Sequence, residues 1–204
     1  MITTPEVKEK AAEICERYKP AEGARRLLQP ALMPKEFLKL LDAHHLFADG
    51  LRFAAYALPQ REAIWWGCLC AWSIYRPKPP EKIEEVLTTV LRWVQEPNEE
   101  RRRAAGVLMD KTGVETPAGG LAAAVFLGGE NIAPPKLPEV KPKPFVWAKV
   151  LAGAVIQAAK EVPRDKKKSC ERQFLKIALD ILESRTRWEP VASWREVIVR
   201  RDGR

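Results

Sequence analysis

Apolar side chains recur along this chain every third or fourth residue and almost nowhere every second, a rhythm that predicts helices throughout. Thr4, Pro5 and Glu6 suit an N-cap, a first helical position and an acidic first turn. Val7, Ala11, Ile14 and Tyr18 then share one face, so a first helix is expected over about residues 5–18. A brief helical piece is expected at Arg25 to Gln29. Pro34-Lys35-Glu36 opens another helix with Phe37, Leu38, Leu40 and Leu41 turned inward, and Leu46 to Ala57 follows so closely that the two should form an antiparallel hairpin. From Glu81, the spacing Ile83, Val86, Leu87, Val90, Leu91, Val94 is the best amphipathic helix in the chain. Further helices are predicted at Pro97 to Lys111, stopped by Gly113, and at Pro117 to Leu127, where Gly119-Gly120 would let a neighbour approach closely.

The stretch Leu58 to Trp72, LPQREAIWWGCLCAW, breaks the amphipathic pattern. Pro59 starts it and Arg76-Pro77-Lys78-Pro79-Pro80 ends it, because prolines cannot continue the hydrogen-bond ladder. On a helix, Trp65, Leu69 and Trp72 share one face, Ile64, Cys68, Ala71 and Tyr75 the next, and Trp66, Cys70 and Ser73 a third. A helix apolar nearly all round is surrounded by others, so Trp65, Trp66, Cys68, Leu69 and Trp72 are read as structural core. A pocket or partner groove lined by the tryptophans is the alternative. Cys68 and Cys70 point about 200° apart on one helix, which suits neither a bridge nor a shared metal ion. Arg61 and Glu62 fall in the first turn, where Arg61 is open to pairing with a neighbouring acid or stacking on an indole.

Residues 129–144, GENIAPPKLPEVKPKP, hold five of the seventeen prolines and no helical period, and predict an extended connector. It divides an N-terminal helical region, 1–128, from C-terminal helices, 145–204, that pack on the same domain. Those helices are an alanine-rich one at Val146 to Lys160, and one striped by Phe174, Ile177, Ala178, Ile181 and Leu182 after a basic loop or helix start at Arg164 to Ser169. The tail, Trp188 to Arg204, has helical spacing, with Glu196 to Arg200 also readable as a short strand. The fold class is all-α, a multi-helix bundle or irregular stack of helical pairs with a proline-rich connector.

Composition adds little to this picture, and charge adds more. The 204 residues are 46% hydrophobic, enough for a sizeable core, and four cysteines are too few for a disulfide scaffold. No run of about 18 apolar residues is available to span a membrane, and the charged N-terminus lacks a signal-like apolar region, so a cytoplasmic protein is expected. Thirty-five Lys and Arg against 27 Asp and Glu give a formal +8, which permits attraction to nucleic acid, anionic membrane or acidic protein. The basic clusters are Arg101, Arg102, Arg103, then Lys166, Lys167, Lys168, then Arg200, Arg201, Arg204. The first two are the candidate interaction surface. No aromatic residue is interleaved with them as in single-strand binders, and no helix-turn-helix or zinc module is recognisable.

Chemistry is harder to find. His44 and His45 are adjacent and suit a helix end at the hairpin turn. Nucleophile-elbow, zincin and P-loop spacings do not occur. No catalytic residue, metal ligand or cofactor is therefore assigned.

Taken with LFADGLRFAAYAL and TPAGGLAAAVFLGGENIAPPKLPEVKPKP, the tryptophan stretch resembles a bacterial domain family of unknown function. Its pattern is Leu-Pro-x-Arg-Glu-Ala-x-Trp-Trp-x-Cys, a Thr-Pro-Ala-Gly segment and an Ala-Pro-Pro connector. Here these are Leu58, Pro59, Arg61, Glu62, Ala63, Trp65, Trp66 and Cys68, then Thr116, Pro117, Ala118 and Gly119, then Ala133, Pro134 and Pro135. The resemblance covers most of residues 5–185. It implies no activity, and a loose association with gene neighbourhoods of type VI-like secretion systems, where small helical adaptors load effectors. The expected function is a non-enzymatic protein-interaction or adaptor module with an acidic protein partner. The alternative is a nucleic-acid-binding protein acting through basic helix faces.

Overall fold

The computed structural model describes residues 7–186 and 188. Among them are ten helices and no strands: α1 (Ala11–Glu16), α2 (Glu22–Arg26), α3 (Pro34–Ala43), α4 (Phe47–Ala57), α5 (Gln60–Tyr75), α6 (Glu81–Gln95), α7 (Glu99–Thr112), α8 (Pro117–Phe126), α9 (Val146–Ala158) and α10 (Lys167–Leu182). The all-α architecture expected from the apolar spacing is what the chain adopts.

Local chemistry sets the helix ends. The Asn98 side chain accepts the Arg101 N–H at 2.9 Å to start α7, and Thr116 accepts the Gly119 N–H at 3.1 Å to start α8, with Pro117 at its first position. Gly113 ends α7 at φ 84°, in the region that favours glycine. At the α3–α4 turn, His44 follows the last residue of α3, and Phe37 meets Phe53 edge to face at 4.9 Å between the two helices.

The largest boundary differences from the sequence reading are in the first two helices, and α9 also ends at Ala158, two residues short of the expected Lys160. The first helix starts at Ala11, because the Ala11 N–H donates to the Leu32 carbonyl at 2.9 Å and so is not available to the Val7 carbonyl that a longer helix would use. Lys10 closes the start, its N–H donating to the Glu13 carboxylate at 2.7 Å. The second helix runs Glu22–Arg26 instead of Arg25 to Gln29. The proposed caps at Thr4 to Glu6, and the tail from residue 189 onward, lie outside the described residues.

The tryptophan helix, α5, is the axis. It touches α4, α6, α8, α9 and α10, and every residue from Glu62 to Trp72 is buried. Gly67 is where two neighbours come closest: a Cβ there would lie 2.5 Å from Leu121 of α8 and 2.6 Å from Leu151 of α9. Trp66 is fully buried and its indole N–H donates to the Phe174 carbonyl at 2.9 Å, tying α5 to α10. Arg61 reaches across to the end of α6, donating to the Val94 and Gln95 carbonyls, and stacks its guanidinium 3.7 Å from the Trp188 ring. Beside it Glu62 is buried, and desolvation raises its carboxyl above the usual range.

Residues 129–144 form a closed loop. The Asn131 side chain accepts the N–H groups of Ala133 and Val140 at 2.9 and 3.0 Å, and the Ile132 N–H donates to the Val140 carbonyl at 2.9 Å. The helices on either side of this loop, α8 and α9, are the most extensively packed pair, with Gly120 placed so that a Cβ would meet Ala154 at 2.8 Å.

Candidate functional site

The residues read as core from the sequence are all inside. Trp65, Trp66, Cys68, Leu69 and Trp72 are between 0% and 7% exposed. All four cysteines are buried, and burial pushes the Cys15 and Cys170 thiols up to about 11 and Cys68 higher still. Among the described residues no three His, Cys, Asp or Glu side chains are grouped to hold a metal ion, and no helix is long and apolar enough to cross a membrane.

The arginine run is divided between the interior and the surface. Arg102 is only 4% exposed: its guanidinium pairs with Glu99 and donates to the Phe126 carbonyl and, at 2.7 Å, to the Asn131 carbonyl. Arg103 shares Glu99 and donates to the Ala133 carbonyl at 2.6 Å. Arg101 pairs with Glu96 at 2.6 Å and donates to the Arg92 carbonyl at 2.9 Å. Arg102 is therefore removed from the candidate interaction surface. It fastens the proline-rich loop to α7, a task that buries its charge. Lys166 and Lys168 are exposed at the start of α10, and Lys167 lies 3.7 Å from Glu171. The arginines' helix packs on α6 and α8, whereas α10 packs on α3, α4 and α5, so the two runs are carried by elements that do not pack against one another. Arg200, Arg201 and Arg204 lie outside the described residues.

The hydrogen bond from Arg102, with further help from Arg103, holds Glu99 well below the usual 4.5, at about 2. A carboxylate lowered on folding contributes stability above its ordinary pKa and loses it as pH falls through the folded value. Thermal stability should therefore fall as pH drops from about 4.5 to 2 through loss of this clamp, and Glu99→Gln should flatten part of that slope. The share is modest because Glu99 is largely exposed. An unchanged pH profile in the variant would remove Glu99 from the acid response.

A cationic concave surface lies elsewhere among the described residues. A groove of about 560 Å³ runs between the end of α1, the side of α4 and the outer face of α9. It is lined by Arg17, Lys19, Arg52, Lys149 and Lys160, with Tyr18 and Tyr56 along one wall, Ala152 and Ile156 below, and no carboxylate in the lining. Arg17 is held by Glu9, by a carbonyl contact to Tyr56 at 3.5 Å and by the Phe145 ring at 4.3 Å. Arg52 lies 3.5 Å from Asp49, whose carboxylate also accepts the Ala21 N–H at 3.3 Å. Lys19, Lys149 and Lys160 are exposed and have no acidic partner among the described residues. Lys160 donates to the Gln157 side-chain oxygen at 3.3 Å, so the groove carries three cations without an acidic partner among the described residues, over a partly apolar floor. A second hollow of about 480 Å³ adjoins it across Arg17 and Tyr56, between Glu9, Gln60, Phe145 and Trp147. The buried tryptophans line neither.

Sequence reasoning passed over this site because its cations come from separated segments and form no run. One signal was present. Lys149, Gly153 and Ile156 recur at i, i+4 and i+7 on the mostly apolar α9, Lys160 follows in the turn after Ala158, and Lys149, Gly153 and Lys160 are exposed.

Fold and groove together define an all-helical protein built round one enclosed helix, with a cationic hollow on its outer face. The chain belongs to DUF6931, a family of unknown function, whose model matches residues 37–182. No curated protein and no solved structure matches the chain. Arg52, Tyr56, Lys149, Gly153 and Lys160 fall within the family's residues, and Arg17, Tyr18 and Lys19 precede them.

Proposed function

We propose that this protein is a non-enzymatic interaction module of a bacterial cytoplasmic system that receives an acidic protein partner in the α1–α4–α9 groove. The observation that supports it is the set of lysines Lys19, Lys149 and Lys160, without acidic partners among the described residues, around a concave, partly apolar floor. Such a surface attracts and orients an anionic partner at little desolvation cost, because the lysines stay hydrated until contact. The alternative, nucleic acid, is less well served by this groove. Tyr18 and Tyr56 stack on each other at 4.9 Å, and so cover one another's faces rather than offering them to bases. Effector loading in a type VI-like secretion system, the setting the sequence resemblance implies, is the use proposed for such a module.

The test is recovery of a partner from the native host after nuclease treatment, with the native chain and a Lys149→Glu/Lys160→Glu variant in parallel. A stoichiometric acidic protein retained by the native chain and lost by the variant is expected. Equal retention by both, or recovery of nucleic acid alone without nuclease, would count against the proposal.

A further inference from the structure

Four glycines inside the helices of this protein are pressed by side chains of other elements, while Gly23 in the short α2 makes only an ordinary contact with Leu46 at 3.6 Å. A Cβ at Gly50, Gly67, Gly106 or Gly120 would come within 2.8, 2.5, 2.6 or 2.8 Å of a side chain on another element. At each, the missing side chain makes room for a packed helix. Gly153, in the middle of α9, is the contrast: nothing lies within 4 Å of its Cβ position. Glycine in a helix interior is destabilising relative to alanine, and no internal contact here requires it. Its open side faces the cationic groove, between Lys149 and Lys160.

The spacing of that stripe sets a length. Lys149 lies on α9 and Lys160 in the turn just past its last residue, Ala158, where the Lys160 N–H donates to the Gln157 carbonyl at 2.9 Å. Nine residues of helix and that turn span about 16 Å, and an extended chain covers about 16 Å in five residues. We infer that the groove seats an extended acidic peptide segment of about five residues, carboxylates at its two ends on Lys149 and Lys160, and a small central residue whose backbone crosses Gly153. Ala152 and Ile156 give the central residues an apolar floor, and the Tyr18–Tyr56 pair forms the opposite wall. Backbone approach at Gly153 is what the absent Cβ permits, as Leu121 and Leu151 approach Gly67 within the core. This inference rests on the reading of the groove as the partner-binding surface and adds the form of the segment it takes.

The test is calorimetric titration at low salt with the capped peptide Glu-Ala-Ala-Ala-Glu, against Lys-Ala-Ala-Ala-Lys, inorganic phosphate and a five-nucleotide thymidine oligomer. The native chain should bind the acidic peptide and not the basic one. Gly153→Leu should weaken binding at least tenfold, and Gly153→Ala measurably, while Gly153→Ala raises the unfolding midpoint by about 2–4 °C because the position is open. That combination, tighter folding with weaker binding, is what a purely structural glycine would not give. If Gly153→Leu binds as the native chain does while Lys149→Glu/Lys160→Glu does not, the crossing at Gly153 is wrong and the groove reading survives. If phosphate or the oligonucleotide binds in place of the peptide, or no probe binds, the acidic segment is wrong.

Discussion

Trp66→Ala should destabilise the protein by about 3–5 kcal/mol, against the roughly 5–15 kcal/mol that holds a domain of this kind together. The expectation follows from position. Trp66 is fully buried at the centre of α5, and its indole N–H meets the Phe174 carbonyl at 2.9 Å on α10. Truncation would open a cavity among helices already in contact and remove the hydrogen bond that ties α5 to α10. Trp66→Phe separates the two effects, keeping most of the ring and losing the hydrogen bond, at a cost of about 1–3 kcal/mol. Urea unfolding reads both as a lower midpoint at unchanged slope. A midpoint equal to the native one for Trp66→Ala would show that the ring is not part of the core.

Arg102→Met comes second, at about 2–4 kcal/mol, and its consequence is local. The substitution keeps much of the side-chain bulk but removes a buried charged donor from the Phe126 and Asn131 carbonyls, each bond to a charged group contributing about 1.5–3 kcal/mol. These bonds hold the 129–144 loop to α7, so proteolysis within that loop should quicken along with the loss of stability. Arg102→Lys should rescue little, since a single ammonium cannot reproduce the planar fork that meets Glu99 and two carbonyls. Arg101→Met, which removes a more exposed charge, should cost less. Equal effects at 101 and 102 would contradict the division of the run into an inner and an outer member.

Arg102 also illustrates what a linear sequence leaves open. Three consecutive arginines on a helix point about 100° apart, so their adjacency in the chain says nothing about which one faces inward. The decision is made by α8 and the proline-rich loop, whose carbonyls wait where Arg102 points. The first helix was overextended for a similar reason: apolar spacing from Val7 to Tyr18 fits one face, but the Ala11 N–H is claimed by Leu32, a long-range partner that no local pattern announces. By contrast, α5 was legible because its apolarity on all sides leaves no face for solvent, and α6, α7 and α8 because amphipathic spacing, Asn98 and Thr116-Pro117 are local signals. The groove was half legible. Lys149 on α9 and Lys160 just past its end stand out in an apolar stretch, whereas Arg17 and Lys19 reach the groove only because α1 and the segment after it fold back on α4, and Arg52 because α4 packs on α9.

The claim that matters most is that the working surface is this groove and not the basic runs visible in the sequence. Mapping amide chemical shifts of the whole chain during titration with short poly-L-glutamate tests it directly. The account expects the largest changes at Lys19, Arg52, Lys149, Gly153 and Lys160, fading with added salt as exposed charge pairs are screened. Changes centred on Arg101, Arg103 and Lys166 to Lys168, with the groove signals still, would contradict it.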